Sequence, residues 1–447
     1  MEIYYFKNSP LFQPKKGLKV SLENKLELCM TAKKKVIIIG GGFGGISAAK
    51  SLANSQYEVT LIDKKNHHLF QPLLYQVASA ALSPADISVP LREIVGHYPN
   101  ILVLLDEVTN IDKDKKVIQC KSSKELPYDF LIVAPGSKPT YFGQDKWRQL
   151  APGLKTLEDA LTIRNKVLQS FEECEKNNSD ELNFVIIGAG PTGVELAGAF
   201  AEIAYDILIK EFKNFDSKKA KIYLIEGGKE VLPAYSGKLS KKAQEYIEKL
   251  GVIVLTGDRV EEITDEYVKV GNRVIASKNI IWAAGNTTSA LTKALIPDKE
   301  QGDDYADKMG RLYVEDNLSL KDYPSIFIIG DAANSKDKEG DPLPALAPVA
   351  SQQGKHVAKQ LLKEKSLPFQ YLDKGTMATI GKYRAVVDFR GFKFSGLFAW
   401  ICWCVVHILF LIDFRNRVMV FMQWGFAFFF KEKGVRIITE NKYEHPE

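Results

Sequence analysis

The sequence predicts an α/β fold assembled from two copies of one strand–turn–helix–strand unit, the second inserted in the first, with an apolar helical tail behind them. Three observations predict it. Residues 33–63 and 182–226 carry the same glycine pattern between apolar runs, and residues 397–430 are almost wholly apolar and aromatic.

The first unit opens on Val36-Ile-Ile-Ile39, a continuous apolar run of the kind covered on both faces of a parallel sheet. Gly40, Gly42 and Gly45 then give G-x-G-x-x-G before small helix-forming residues, and a second strand over 58–62 ends on Asp63. Each position has a physical role. The first glycine allows the tight turn, the second lets a pyrophosphate approach the backbone, and the third lets the helix pack closely on its strand. Free N–H groups and the dipole at the helix N-terminus favour the anion, and the terminal acid suits ribose hydroxyls. A lone glycine pattern is weak, but strand, helix, second strand and acid together predict a Rossmann-like dinucleotide-binding domain. The second unit repeats it: strand 184–187, then Gly188, Gly190 and Gly193, a helix, a charged insertion around 210–219, and strand 221–225 ending on Glu226. A chain with two such units binds two dinucleotides, and the natural pair is a tightly held flavin with an exchangeable nicotinamide.

The 447 residues suit two or three domains, and 45% hydrophobic with 26% charged residues is a globular balance. Net charge is +5 without a basic run, so no nucleic-acid partner is expected. Cys29, Cys120, Cys174, Cys402 and Cys404 form no C-x-x-C and no metal spacing, which indicates a reducing compartment and no metal. Residues 1–32 read as a weakly structured extension without a hydrophobic signal core, and Met30 stands as a candidate start.

In chain order, adjacent His67 and His68 read as loop or packing residues, and the proline-broken apolar run 69–75 suits a loop lying against a flat ring. Strands are predicted over 101–105, 116–120 and 130–133, the last ending on the small turn Ala134-Pro-Gly136. An amphipathic helix over 154–173 leads into the second unit. Beyond it come helix 239–250, strand 252–255, and strand 280–282 ending on the small turn that includes Gly285. Strand 326–329 runs into Gly330-Asp331, whose carboxylate suits a ribityl hydroxyl or a helix N-cap, and a helix follows over 345–362. The domains are thus 33–150, 151–290, 291–378 and a tail, 379–447. Three of the five tryptophans lie in that tail (Trp400, Trp403, Trp424), with Arg415 and Arg417 between its two apolar runs. The tail predicts monotopic attachment in one leaflet over a true span or a buried core helix.

The chain resembles the type II NADH dehydrogenases, single-subunit NADH:quinone oxidoreductases of respiratory membranes, over about residues 33–440. The resemblance rests on VIIIGGGFGGISAAKSL, FQPLLYQVASAALSPADISVPLR, PGLKTLEDALTIRNKVL, FVIIGAGPTGVELAGAFAE, VLPAYSGKLSKKAQEYIEKLGV, IFIIGDAA and the aromatic tail. It implies FAD held by Gly40, Gly42, Phe43, Gly44, Gly45, Asp63, Lys64, Ala134, Gly136, Gly330, Asp331 and Val349. It implies NADH held by Gly188, Gly190, Gly193, Glu226 and Gly285. Glu195 matches a family glutamate at the nicotinamide–flavin contact, with a solvated first-turn helix acid as the plainer reading. The family's quinone-side helix begins A-Q-x-A-x-Q; here Pro348 replaces the first glutamine and Gln352 keeps the second. The implied partners are NADH, a membrane quinone (menaquinone or ubiquinone), the membrane surface and a second copy of the chain as a homodimer. The implied place is the cytoplasmic face of the cell membrane. Glu226 ends the second strand and Gly227-Gly228 follow, so no arginine is expected to await a 2′-phosphate, which favours NADH over NADPH.

Rival readings need features the sequence lacks. Disulfide reductases need a redox cysteine soon after the first glycine turn, and none occurs between Gly40 and Ile118. A sulfide:quinone oxidoreductase needs a cysteine trio at the flavin, which these cysteines do not clearly supply. A membrane-tethered NADH sensor without turnover remains as the reading from another class.

Overall fold

A computed structural model describes residues 33–179, 181–235, 237–296, 305–430 and 434–439. The extension 1–32, Met30 included, lies outside the described residues. Two sheets carry the fold. The first runs Ser319–Leu320, Tyr323–Ile328, Phe130–Val133, Lys35–Ile39, Glu58–Asp63, Ile101–Leu105, parallel throughout except for its first pair. The second runs Val252–Thr256, Lys221–Glu226, Asn183–Ile187, Asn279–Trp282, all parallel.

The chain leaves the first sheet after Val133, builds the second, and returns at Tyr323, where Ile326 pairs with Leu131. Insertion of the second unit in the first is therefore literal. The outgoing and returning crossovers pair with each other, Ser137–Pro139 antiparallel to Asn286–Thr288. Each sheet's central strand is buried on both faces: Val36–Ile39 and Asn183–Ile187 are all buried. That is why they read as unbroken apolar runs rather than alternating ones.

Helices close the layers. Phe43–Ser51 crosses Ala347–Lys363 so tightly that a Cβ on Gly354 would lie 2.2 Å from the Gly44 carbonyl oxygen. The helix expected over 154–173 spans Leu157–Asn177, because Thr156 caps it with a Thr156–Asp159 capping box. Pro348 sits in the first turn of Ala347–Lys363, where its missing N–H costs no helical bond.

The tail forms two helices, Leu397–Phe410 and Phe414–Phe430. Among the described residues no helix is long and apolar enough to cross a membrane. The apolar run breaks because Leu411 adopts an extended conformation and Asp413 follows. Ala399, Trp403, Leu411 and Val420 are buried in the large core cluster, whereas Phe398, Phe421, Phe426 and Phe429 are exposed, Phe429 at 77%. Such a face of large exposed apolar side chains needs a partner surface.

Candidate redox site

The two glycine turns are built alike. Gly40 and Gly188 hold φ of +101° and +103°, a region L side chains avoid. A Cβ at Gly40 would meet the Ala134 oxygen at 2.1 Å, and one at Gly188 would meet Ala283 at 2.7 Å. A Cβ on Gly45 or Gly193 would lie 1.8 Å from the carbonyl oxygen of Gly40 or Gly188, so each helix sits against its own turn. Gly42 and Gly190 differ: nothing lies within 4 Å of a Cβ there. These are cradles that a side chain would fill and a pyrophosphate can enter, and they fit the FAD and NADH implied by sequence.

Both terminal acids brace their turns. Asp63 Oδ2 accepts from the Gly41 N–H at 2.5 Å, and Glu226 Oε2 accepts from the Ala189 N–H at 2.8 Å. The other oxygens also brace backbone, Asp63 Oδ1 accepting from the Lys65 N–H at 2.7 Å and Glu226 Oε1 from the Gly228 N–H at 2.8 Å, and each carboxylate keeps further lone pairs. Lys64 is exposed, and its neighbour Lys65 is the residue ion-paired, to Glu158. Beside Glu226 the sequence reading missed one feature: Arg259, beyond the next strand, lies so close that a Cβ on Gly227 would be 3.1 Å from its Cγ.

His68 is buried beside the first turn, its Nδ1 donating to the Gly41 carbonyl at 2.9 Å while Phe43 meets its ring edge-on. Burial pushes His68 down to about 4, so the ring is neutral at physiological pH.

Two clefts border these turns. In one, Val349, Gly330 and Asp331 face Ser335, Arg311 and Gln353. Gly330 is left-handed, at φ +69°, and its N–H donates to Gln353 Oε1 at 2.7 Å. The small turn at Ala134 and Gly136 leads to Ser137, whose hydroxyl donates to Asp331 Oδ2 at 2.5 Å. Gly136 is also left-handed, with open space around it. Gln352 lines neither cleft: its amide bonds the Leu372 backbone at both ends, 3.0 and 2.9 Å. One helical step, about 100°, separates it from Gln353.

The other cleft lies between the two units. The run 69–75, expected as a loop, turns helical from Gln71 and supplies Gln71 and, from the short helix Leu74–Ala78, Tyr75. Lys155 comes from the crossover, Thr192 from the first turn of helix Pro191–Glu202 and Glu195 from its second. Burial raises the Glu195 carboxyl well above the usual carboxylate range, against a backbone hydrogen bond from Thr379 that lowers it. Such a carboxyl keeps its proton to higher pH than a free carboxylic acid does. Lys155 is pulled down by burial and raised by the charge of Asp331, and its Nζ donates to Ser137 Oγ at 3.3 Å. Gly285, left-handed at φ +75°, stands instead against Phe142. Tyr75 was expected only as part of a loop against a ring, and Lys155 was missed. The stretch PGLKTLEDA carries it, but nothing local marks that lysine as cleft-facing. Among the described residues no group of side chains could hold a metal ion.

Two sheets that each present a glycine cradle, with a cleft-lining carboxyl between them, define a two-dinucleotide flavoprotein reductase. The chain matches the pyridine nucleotide-disulphide oxidoreductase family over residues 34–354 and the NDH2 C-terminal domain over 374–431. It is 37% identical over 430 residues to the type II NADH:quinone oxidoreductase Ndh of Mycobacterium tuberculosis, covering 92% of this chain and 91% of that one. The fold is similar to that of NDH2 from Plasmodium falciparum in complex with NADH, at TM-score 0.82 and 23% identity, over 92% of this chain and all of the other. A sulfide:quinone oxidoreductase from Aquifex aeolicus is more distant, at TM-score 0.68 and 20% identity, over 89% and 96%. The chain belongs to the pyridine nucleotide-disulphide oxidoreductases, and within them to the type II NADH:quinone oxidoreductases.

Proposed function

We propose that the protein oxidises NADH and passes two electrons through bound FAD to a membrane quinone, without proton pumping. The observation that carries this is the inter-unit cleft, where the ends of both dinucleotide units meet at Glu195, Thr192, Tyr75 and Lys155. Bound FAD supplies the two-electron redox centre. The chain's own residues bind and position. The turn at Gly40, Gly42, Phe43, Gly44 and Gly45 takes one pyrophosphate, Asp63 its ribose, and Gly330, Asp331 and Val349 the remainder of that cofactor, within parts 33–150 and 291–378. Gly188, Gly190 and Gly193 take the pyrophosphate of NADH within 151–290; Glu226 favours an unphosphorylated ribose, while Arg259 beside Gly227 offers a cation to a 2′-phosphate. Glu195 holds a proton beside the hydride-exchange position, and Lys155 offers a cation there.

The exposed phenylalanines of 379–447, with exposed Arg415 in the first turn of the second tail helix, support monotopic attachment of the tail to one leaflet. We place the protein on the cytoplasmic face as a homodimer. The sulfide-oxidising alternative is weaker, because Cys120, Cys174, Cys402 and Cys404 line neither cleft. The test is NADH oxidation by flavin-loaded protein, followed at 340 nm with and without a short-chain quinone. Turnover should require the quinone, and oxidation indifferent to it would refute the assignment.

A further inference from the structure

Three side chains join the tail to the inter-unit cleft. The Trp424 indole Nε1 donates to Gln76 Oε1 at 2.8 Å, and Gln76 Nε2 donates to Tyr75 Oη at 2.9 Å. Tyr75 and Gln76 are buried, and Tyr75 faces the cleft beside Glu195. The direction of this chain follows from the chemistry of its first member. An indole only donates, so Trp424 requires the carbonyl end of the Gln76 amide. The amide nitrogen of Gln76 must then face Tyr75, and Tyr75 Oη is the acceptor of that bond. Its own hydrogen is left over, and among the described hydrogen bonds it has no acceptor, which leaves it for the cleft that Tyr75 lines.

We propose that Tyr75 is the hydrogen-bond donor of the redox cleft, and that Trp424 of the tail is the positioning residue that fixes its direction. The acceptor is a carbonyl oxygen of a planar ring bound in the cleft. Two exchangeable ligands of the reaction carry one, the nicotinamide carboxamide and the quinone. Removing the indole donor frees Gln76 to reverse, and a reversed amide accepts from Tyr75 and turns the hydroxyl away from the cleft. The tail that meets the membrane thereby sets a polar contact at the chemistry, through two side chains nearly 350 positions away from it in sequence. A structural role alone would predict a loss of stability in a tail variant, without a matching effect at Tyr75.

The inference rests on the assignment of this cleft to hydride exchange, which bleaching of wild-type flavin by NADH checks beforehand. The test uses flavin-loaded full-length Tyr75→Phe, Trp424→Phe and the double variant. NADH affinity is read from its own fluorescence, and the two half-reactions are followed by anaerobic stopped flow. Each single variant should lose about tenfold in one arm, the size of one neutral hydrogen bond. The double variant should lose no more than Tyr75→Phe alone. If the carboxamide is the acceptor, NADH affinity falls and reoxidation by quinone is unchanged; if the quinone is, reoxidation slows and NADH affinity holds. Gln76→Glu supplies a second probe. It keeps an acceptor for Trp424 but removes the donor to Tyr75, so it should match Tyr75→Phe even if Trp424→Phe loses its flavin. A Tyr75→Phe variant unchanged in both arms overturns the proposal. So do Tyr75 and Trp424 effects in different arms, or a double variant that loses the product of the two singles.

Discussion

The second and third glycines of the NADH turn should respond to the same substitution in opposite ways. Gly190 has ordinary backbone angles, φ −68° and ψ −178°, and nothing within 4 Å of a Cβ. Gly190→Ala should therefore leave the ligand-free protein within about 0.5 kcal/mol of wild type. Gly193→Ala would place a methyl 1.8 Å from the Gly188 oxygen and 3.0 Å from its carbonyl carbon. Helix and turn must part by more than an ångström, an overpacking cost of about 1–3 kcal/mol. NADH binding separates the two variants further. The methyl of Gly190→Ala occupies the pyrophosphate's approach, for which a tenfold weaker Kd is a modest expectation. Ligand at 100 times the wild-type Kd stabilises wild type by about 2.7 kcal/mol, and a tenfold loss cuts that to about 1.4 kcal/mol. Thermal melts with and without NADH read both quantities. Gly190→Ala should melt like wild type alone and gain about half the NADH shift, while Gly193→Ala should melt early even alone. A Gly190→Ala protein that binds NADH as wild type does would refute the assignment of that space to a pyrophosphate.

Three further outcomes follow from burial and exposure. Because Glu195 keeps its proton when folded and loses it near 4.5 when unfolded, stability should fall as pH rises from about 4.5, by about 1.4 kcal/mol per unit until the folded carboxyl ionises. Glu195→Gln should abolish that slope, as denaturant titrations across pH will read. His68 is the opposite case: held near 4 when folded against 6.5 unfolded, it contributes stability fully present above 6.5 and lost as pH falls toward 4, about 3 kcal/mol in all. His68→Gln should flatten that acid limb; an unaltered limb would show that His68 charges without resistance. Exposed Phe421 and Phe429 should each contribute about 1.5–3 kcal/mol to bilayer attachment. Phe421→Glu with Phe429→Glu should then release the protein from vesicles in co-sedimentation, with bleaching of the flavin by NADH intact.

Both glycine turns were legible because everything that defines them is local: a buried strand, three glycines at fixed spacing and an acid one strand later. The two register patterns coincide, Ile39 opposite Ile62 and Ile187 opposite Ile225. What the sequence hid is convergence. Lys155 and Ser137 meet Asp331 only because the crossovers pair, and Arg259 reaches Gly227 from beyond a strand. Gln352 and Gln353 are equal in sequence, and only the helix phase assigns one to Leu372 and the other to Gly330. The tail's apolarity was plain, but its break at Leu411 was not, since one residue's backbone conformation divides a near-membrane-length run into helices of 14 and 17 residues. The Trp424–Gln76 bond could not be read at all, because neither residue carries a motif.

If electrons enter from NADH and leave to a quinone at one cleft, an anaerobic titration should follow both steps on the flavin. Purified protein should show flavin absorbance that one equivalent of NADH bleaches and one equivalent of short-chain quinone restores. Flavin that NADH bleaches but quinone leaves reduced would contradict the quinone assignment, and protein without flavin would contradict the account as a whole.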